Sequence, residues 1–89
     1  MDRENTIQIS FETGTLKPSP LEVHEFIHDK FKLSVDEIAA IQIPTTIKCV
    51  FLKLVLPGKM RKILEENTGE VNFYYSSGAV TQVKLSDGN

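Results

Sequence analysis

The chain has 89 residues, of which 40% are hydrophobic and 25% are charged, and its formal net charge is −2. These values predict one small globular domain and exclude two lobes with a cleft between them. A slightly acidic chain has no overall positive field to hold nucleic acid or an anionic membrane, so any such partner requires a local basic patch.

Cysteine use and the N-terminal sequence bear on the compartment. The single Cys49 excludes an internal disulfide and favours a reducing environment. The charged sequence MDRENT contains no apolar segment of a secretory signal, and the longest apolar run is too short to cross a bilayer. We therefore expect an intracellular protein, cytoplasmic or nuclear, with no membrane partner. Residues 1–89 should form one domain with an ordered core of about 5–86, a segment compatible with excision from a longer protein.

The first predicted elements are a strand and a helix. In TIQISFE, Ile7, Ile9 and Phe11 alternate with polar residues, which is typical of a half-buried strand. The sequence SPLE then supplies a serine N-cap, a proline at the first helical position and a glutamate that closes a capping box. The helix should extend to about Phe31. Its predicted buried stripe consists of Val23, Phe26, Ile27 and Phe31.

The middle of the chain predicts a short helical turn and two strands. SVDE repeats the capping-box pattern, and AAIQIP then favours a strand in which Ala39, Ile41 and Ile43 share one face. IKCVFLKLVL is the most β-prone segment of the chain. In that strand the predicted inward residues are Val50, Leu52 and Leu54, and the predicted outward residues are Cys49, Phe51 and Lys53.

The last segments predict a second helix and a hairpin. PGKMRKILEENTGE has Pro57 near its start, Gly69 as an expected C-cap, and a buried stripe of Met60, Ile63 and Leu64. VNFYY and AVTQVKL, separated by SSG, predict a terminal β-hairpin.

This order of elements predicts an α+β fold. Two helices that each bury one stripe should pack on one face of an antiparallel sheet and leave its other face open. Right-handed crossovers favour a ferredoxin-like, RRM-like split β-α-β-β-α-β arrangement with a terminal β-hairpin, in which the first and third strands are central.

The sequence HEFIH, from His24 to His28, matches the HExxH signature of zinc proteases. A catalytic zinc requires a third protein ligand and a closed cleft. The chain has no third histidine, and both imidazoles lie outside the predicted buried stripe of their helix. We interpret the match as an accident on a solvated helix, with adventitious metal capture as the alternative. We predict no metal site, no cofactor and no enzymatic activity.

The open sheet face is the predicted nucleic-acid surface, because RNA-recognition motifs stack bases on such a platform. Against the RNP1 pattern, IKCVFLKL places Phe51 on one aromatic position, but Cys49 occupies the other and Ile47 replaces the leading cation. Gln8 stands where RNP2 carries an aromatic residue. Because only one of these three aromatic positions carries a ring, we predict weak binding. Phe51 would stack, Gln8 would hydrogen-bond a base, Lys53 and Lys84 would neutralise phosphates, and Gln42 shares their face.

A possible basic patch begins the second helix. Lys59, Arg61 and Lys62 lie in its first turns, where the helix macrodipole disfavours cations. Either these side chains form a solvated face supported by Glu65 and Glu66, or they meet an acidic partner or a phosphate.

The sequence LSVDEIAAIQIPTTIKCVFLKL, followed by a helix and GEVNFYYSSGAVTQVKL, resembles one divergent family. That family is the RNA-recognition-type domain that precedes zinc knuckles in gag-like proteins of non-LTR retrotransposons and their domesticated relatives. Glu37, Ile38, Ile41 and Gln42, together with residues 83–85, carry a similarity that covers roughly residues 5–86. The resemblance implies an RRM-like fold in a nucleic-acid-handling or particle-assembling protein.

Two functions remain open. The first is a non-enzymatic module that binds single-stranded RNA or DNA weakly. The second is a protein-interaction or self-association domain that uses the sheet face, the second helix or an edge strand. The resemblance favours the first.

Overall fold

The computed structural model describes residues 2–12, 14, 16–46 and 48–89, so Ile47, the predicted replacement for the RNP1 cation, lies outside the described residues. Five strands and two helices follow one another along these residues, with a short 3-10 turn before the second strand. Their bounds are β1 Thr6–Phe11, α1 Pro20–Phe31, the 3-10 turn Val35–Glu37, β2 Ile38–Gln42, β3 Cys49–Leu54, α2 Pro57–Glu66, β4 Glu70–Tyr74 and β5 Val80–Asp87.

The five strands form one antiparallel sheet in the order β2-β3-β1-β5-β4. β1 lies between β3 and β5, while β2 and β4 form the edges. A small α+β architecture of this kind is compatible with a ferredoxin-like class. Neither helix in the described part of the chain is long and apolar enough to span a bilayer.

The core lies between the sheet and the two helices. Phe73 of β4 is 1% exposed, and its ring centroid lies 5.0 Å from that of Phe11, 4.9 Å from Phe26 and 5.1 Å from Tyr75. The predicted inward side of β3 is confirmed, and the predicted stripe of α1 is buried. The buried core residues from the helices and β3 are Val23, Phe26, Ile27, Phe31, Ile63, Val50, Leu52 and Leu54.

The predicted start of α1 is confirmed in detail. The Ser19 hydroxyl accepts a hydrogen bond from the Glu22 backbone N–H at 3.2 Å, and a Glu22 carboxylate oxygen accepts one from the Ser19 N–H at 2.9 Å. This reciprocal capping box satisfies two of the N–H groups that the first turn of a helix leaves unpaired.

Two local expectations are wrong. Ala39 is exposed because a β-bulge between Ile38 and Ala40 shifts the register, so the partly buried residues of β2 are not in simple alternation. α2 ends at Glu66 rather than near Gly69, because the Asn67 side-chain amide donates to the Ile63 carbonyl at 2.9 Å and caps the last turn.

The predicted turn between β4 and β5 is confirmed. The Tyr75 N–H donates to the Ala79 carbonyl at 2.8 Å, and the Gly78 N–H donates to the Tyr75 carbonyl at 3.0 Å. Gly78 has φ +95°, a left-handed conformation that a residue without Cβ adopts easily. This is the three-residue hairpin loop in which a tight turn is followed by a left-handed glycine.

Candidate interaction surfaces

The structure brings the predicted nucleic-acid-binding residues onto one face of the sheet. The register places Gln8 of β1 and Gln42 of β2 opposite Phe51 of β3, so the three form a row across the strands. Lys53 follows Phe51 by two residues, and Lys84 of β5 is opposite the residue two positions after Gln8. Because cross-strand partners share a face, all five side chains lie on the side away from the helices.

Phe51 is covered on that face. The residue is 5% exposed, although it is not part of the core cluster. The Arg3 guanidinium carbon lies 3.4 Å from the ring centroid, in the position of a cation–π contact. A base can therefore reach the ring only if Arg3 moves.

Residues 2–5 form an N-terminal cover over this part of the face. Lys53 Nζ lies 2.8 Å from an Asp2 carboxylate oxygen and donates to the Glu4 carbonyl at 2.7 Å. The Leu54 N–H donates to the Asn5 carbonyl at 2.9 Å. The hydrogen bond from Lys53 lowers the pKa of Asp2. Lys53 therefore already has an internal partner for its charge.

Cys49 lies on the same face and is 4% exposed. Burial raises the pKa of its thiol, which opposes formation of the thiolate that would act as a nucleophile. Cys49 is therefore best described as a small, buried apolar residue of β3.

The two histidines of HEFIH are exposed on α1. His28 Nδ1 is 3.3 Å from the Leu33 carbonyl oxygen, and His24 lies beside an apolar depression that includes Ile38 and Ile41 of β2. Within residues 2–12, 14, 16–46 and 48–89, no group of three or more potential metal ligands lies together. The pair therefore has no described third ligand to complete a zinc site.

The predicted basic patch is divided. Lys59 Nζ lies 2.9 Å from a Glu37 carboxylate oxygen, an ion pair with the 3-10 turn rather than with the glutamates of its own helix. The pKa of Glu37 is lowered first by the Ser34 backbone N–H and then by Lys59. Arg61 and Lys62 are exposed.

The edge strand β4 has hydrogen-bonding groups that face away from the sheet. Since the Tyr75 N–H points to β5, antiparallel alternation directs the backbone groups of Phe73 to β5 as well. The N–H and C=O groups of Asn72 and Tyr74 therefore point outward, along an edge where no described strand pairs with them.

A groove of about 330 Å³ lies between this edge and α1. One wall contains Asn72 and Tyr74, and Phe26 lies in the lining. Glu22 closes one end, because its carboxylate accepts hydrogen bonds from the Ser76 N–H at 2.7 Å and from the Ser76 hydroxyl at 3.1 Å. The backbone N–H groups of Ser19 and then Ser76 lower the pKa of Glu22 to about 2.

The α1 wall of the groove is acidic. Glu22, Glu25 and Asp29 recur at the spacing that places side chains on one side of a helix, and all three line the groove. Lys30 is the only cation among the lining residues that the structure describes. The wall therefore favours a positively charged occupant.

Sequence reasoning missed Tyr74 and Arg3. Tyr74 is 64% exposed on the face away from the helices, opposite Val80 in the register. Alternation in VNFYY gives this orientation once Val71 and Phe73 are taken as inward. No local pattern in the sequence indicates that Arg3 returns to cover a ring in β3.

No model of a known protein family matches the chain, and no curated protein matches it.

Proposed function

We propose that this protein is a non-enzymatic interaction module that binds an extended segment of a partner protein along β4. The observation that carries the proposal is the outward row of backbone groups at Asn72 and Tyr74 beside a ready-made groove. Strand addition of this kind derives affinity from main-chain hydrogen bonds and specificity from alternate side chains of the guest.

The helix wall supports a guest with alternating basic residues. Glu25 and Asp29 are four residues apart, which is about 6 Å along a helix axis. Alternate side chains of an extended strand repeat at about 6.8 Å. A Lys-x-Lys or Arg-x-Arg segment paired with β4 would therefore bring one cation near each carboxylate, while its intervening side chain would lie on the side of Tyr74.

Pairing of two copies fits this surface poorly. The other edge strand, Ile38–Gln42, carries no cation to meet the acidic wall. Two β4 edges brought together would place like charges near one another, which disfavours association. A different protein is therefore the better partner for the groove.

A proline substitution in the edge strand tests the proposal. Asn72→Pro removes one outward N–H without removing a bond to β5, a position where an edge strand accepts proline. Asn72→Thr changes the same side chain and keeps the N–H. Peptides selected from a random displayed library by the wild-type protein should bind the threonine variant and lose affinity for the proline variant.

Folding of both variants is checked by the dispersion of their amide NMR spectra. If a folded proline variant retains the selected peptides, strand addition at β4 is refuted. Dimerisation of the chain itself, measured by ultracentrifugation, would instead assign the edge to self-association.

We also propose the finer assignment of the fold as RRM-like. β1-α1-β2 and β3-α2-β5 would be the two split halves, with β4 added as a hairpin strand outside β5. The antiparallel strand order supports this, and so does the residue pattern that resembles gag-like RNA-recognition-type domains. The parent protein would then handle nucleic acid or assemble particles.

A second candidate function is weak binding of single-stranded nucleic acid on the sheet face. The row of Gln8, Phe51 and Gln42, with Lys84 nearby, favours it, and stacking on Phe51 requires that Arg3 move off the ring. Titration with mixed single-stranded RNA should shift the amides of β1 and β3, and the shifts should weaken steeply with salt. Unshifted amides at Phe51 and its neighbours would remove this candidate.

A further inference from the structure

A second cleft, of about 270 Å³, lies between the C-terminal end of α1 and the exposed side of α2. Phe31 and Ile63 are among its apolar lining residues, and Glu66 is its only lining carboxylate among the residues described. Four cations surround it, two from each side of the cleft. They are Lys30, Lys32, Lys59 and Lys62.

The backbone explains how the two pairs meet. Lys32 caps α1 in a left-handed conformation with φ +57°, and its N–H donates to the His28 carbonyl at 3.0 Å. Lys30 belongs to the last turn of the same helix. Lys59 and Lys62 are three residues apart in α2, so they share one side of that helix.

Most of this charge has no carboxylate partner among the residues that the structure describes. Lys59 pairs with Glu37, but in the part of the chain that the structure describes, Lys30, Lys32 and Lys62 have no carboxylate within ion-pair distance. All three are exposed. Like charges gathered around one concavity repel each other, and a polyanion relieves that repulsion.

We infer that this lysine-lined cleft binds the phosphate backbone of a single-stranded nucleic acid without reading its sequence. The cleft shares Lys30 with the lining of the β4 groove but uses none of the groove's acidic residues. Lysine binds phosphate as a compact point charge, without the bidentate geometry of arginine. Phosphopeptide sites rely on clustered arginines, and Arg61, the arginine of α2, does not line the cleft.

The binding should depend on salt but not on sequence. Contacts from three or four lysines predict a slope of log K against log salt of about −2 to −3 for a single strand. Fluorescence anisotropy with labelled mixed-sequence and oligo-uridine strands, measured at several salt concentrations, gives both quantities. Similar affinities for the two strands are expected.

Paired charge removals test the location. The variant K30Q/K62Q should weaken binding about tenfold at low salt and flatten the salt slope by about 1 to 2. The matched variant K17Q/K48Q removes the same charge at exposed residues outside the cleft. It should bind like the wild type. Amide NMR spectra confirm that both variants are folded.

Each alternative result contradicts the inference. Equal losses in the two variants would indicate attraction to the overall charge. A loss in a separate K84Q variant, with none in K30Q/K62Q, would assign binding to the sheet face. Absence of binding at low salt, or tighter binding of a phosphoserine peptide than of the oligonucleotide, would also overturn it. None of these results changes the outcome of the proline test at β4.

Discussion

The sheet face around Phe51 and the groove beside β4 both result from strand alternation, but the first is covered and the second is open. At Phe51, the N-terminal cover returns over an outward ring and engages Lys53. At β4, outward backbone groups remain beside an acidic helix wall. Strand alternation therefore decides which way a side chain points, while segments distant in sequence decide whether it is accessible.

The largest expected difference is between two buried phenylalanines. Phe73→Ala should cost about 3–5 kcal/mol of unfolding free energy, because the ring fills the core beside three other aromatic rings. Phe51→Ala should cost clearly less, since its ring lies outside the core cluster and beneath Arg3. Urea denaturation monitored by circular dichroism measures both. Equal losses would show that the covered face is as firmly packed as the core.

The closed end of the groove should respond to acid. Glu22 has a pKa of about 2 in the folded protein, below the ordinary value for glutamate. The ionised form therefore contributes stability above about pH 4.5, and this contribution is lost as the pH falls towards 2. Glu22→Gln keeps one oxygen acceptor but does not titrate. The difference in melting temperature between wild type and variant should shrink over this interval, whereas a constant difference would contradict the assigned hydrogen bonds.

A smaller effect is expected at the N-terminal cover. A double-mutant cycle of Arg3→Ala and Phe51→Leu should give a coupling of about 0.5–2 kcal/mol, as for a cation–π pair with a buried ring and a half-buried cation. Arg3→Ala alone should also make the Phe51 ring more accessible to a soluble paramagnetic probe in NMR. No coupling, together with unchanged accessibility, would show that other groups cover the ring.

The smallest effect is expected from zinc. Because His24 and His28 are exposed and no described side chain completes a ligand set, excess zinc should leave the melting temperature nearly unchanged. The variant His28→Gln is the matched control. A large rise in the wild type alone, reversed by a chelator, would restore the metal-site interpretation.

Local chemistry explains which structural features were predictable. The capping box at Ser19, the inward side of β3 and the Ser-Ser-Gly turn each depend on residues close together in sequence. The bulge at Ala39 depends on how β2 meets β3, and the Arg3 contact with Phe51 joins segments far apart. The lysine-lined cleft likewise combines residues of two helices. The sequence KMRK indicates only the two lysines from α2.

The bulge in β2 also affects how the sheet can grow. An irregular edge strand offers a poor template for another chain, and edge strands of natural proteins commonly carry such interruptions. β4 is regular, so a strand can be added on that side while growth on the opposite side is discouraged. A sheet with one regular edge strand can add a single partner strand, but its bulged opposite edge opposes continued strand addition into fibres.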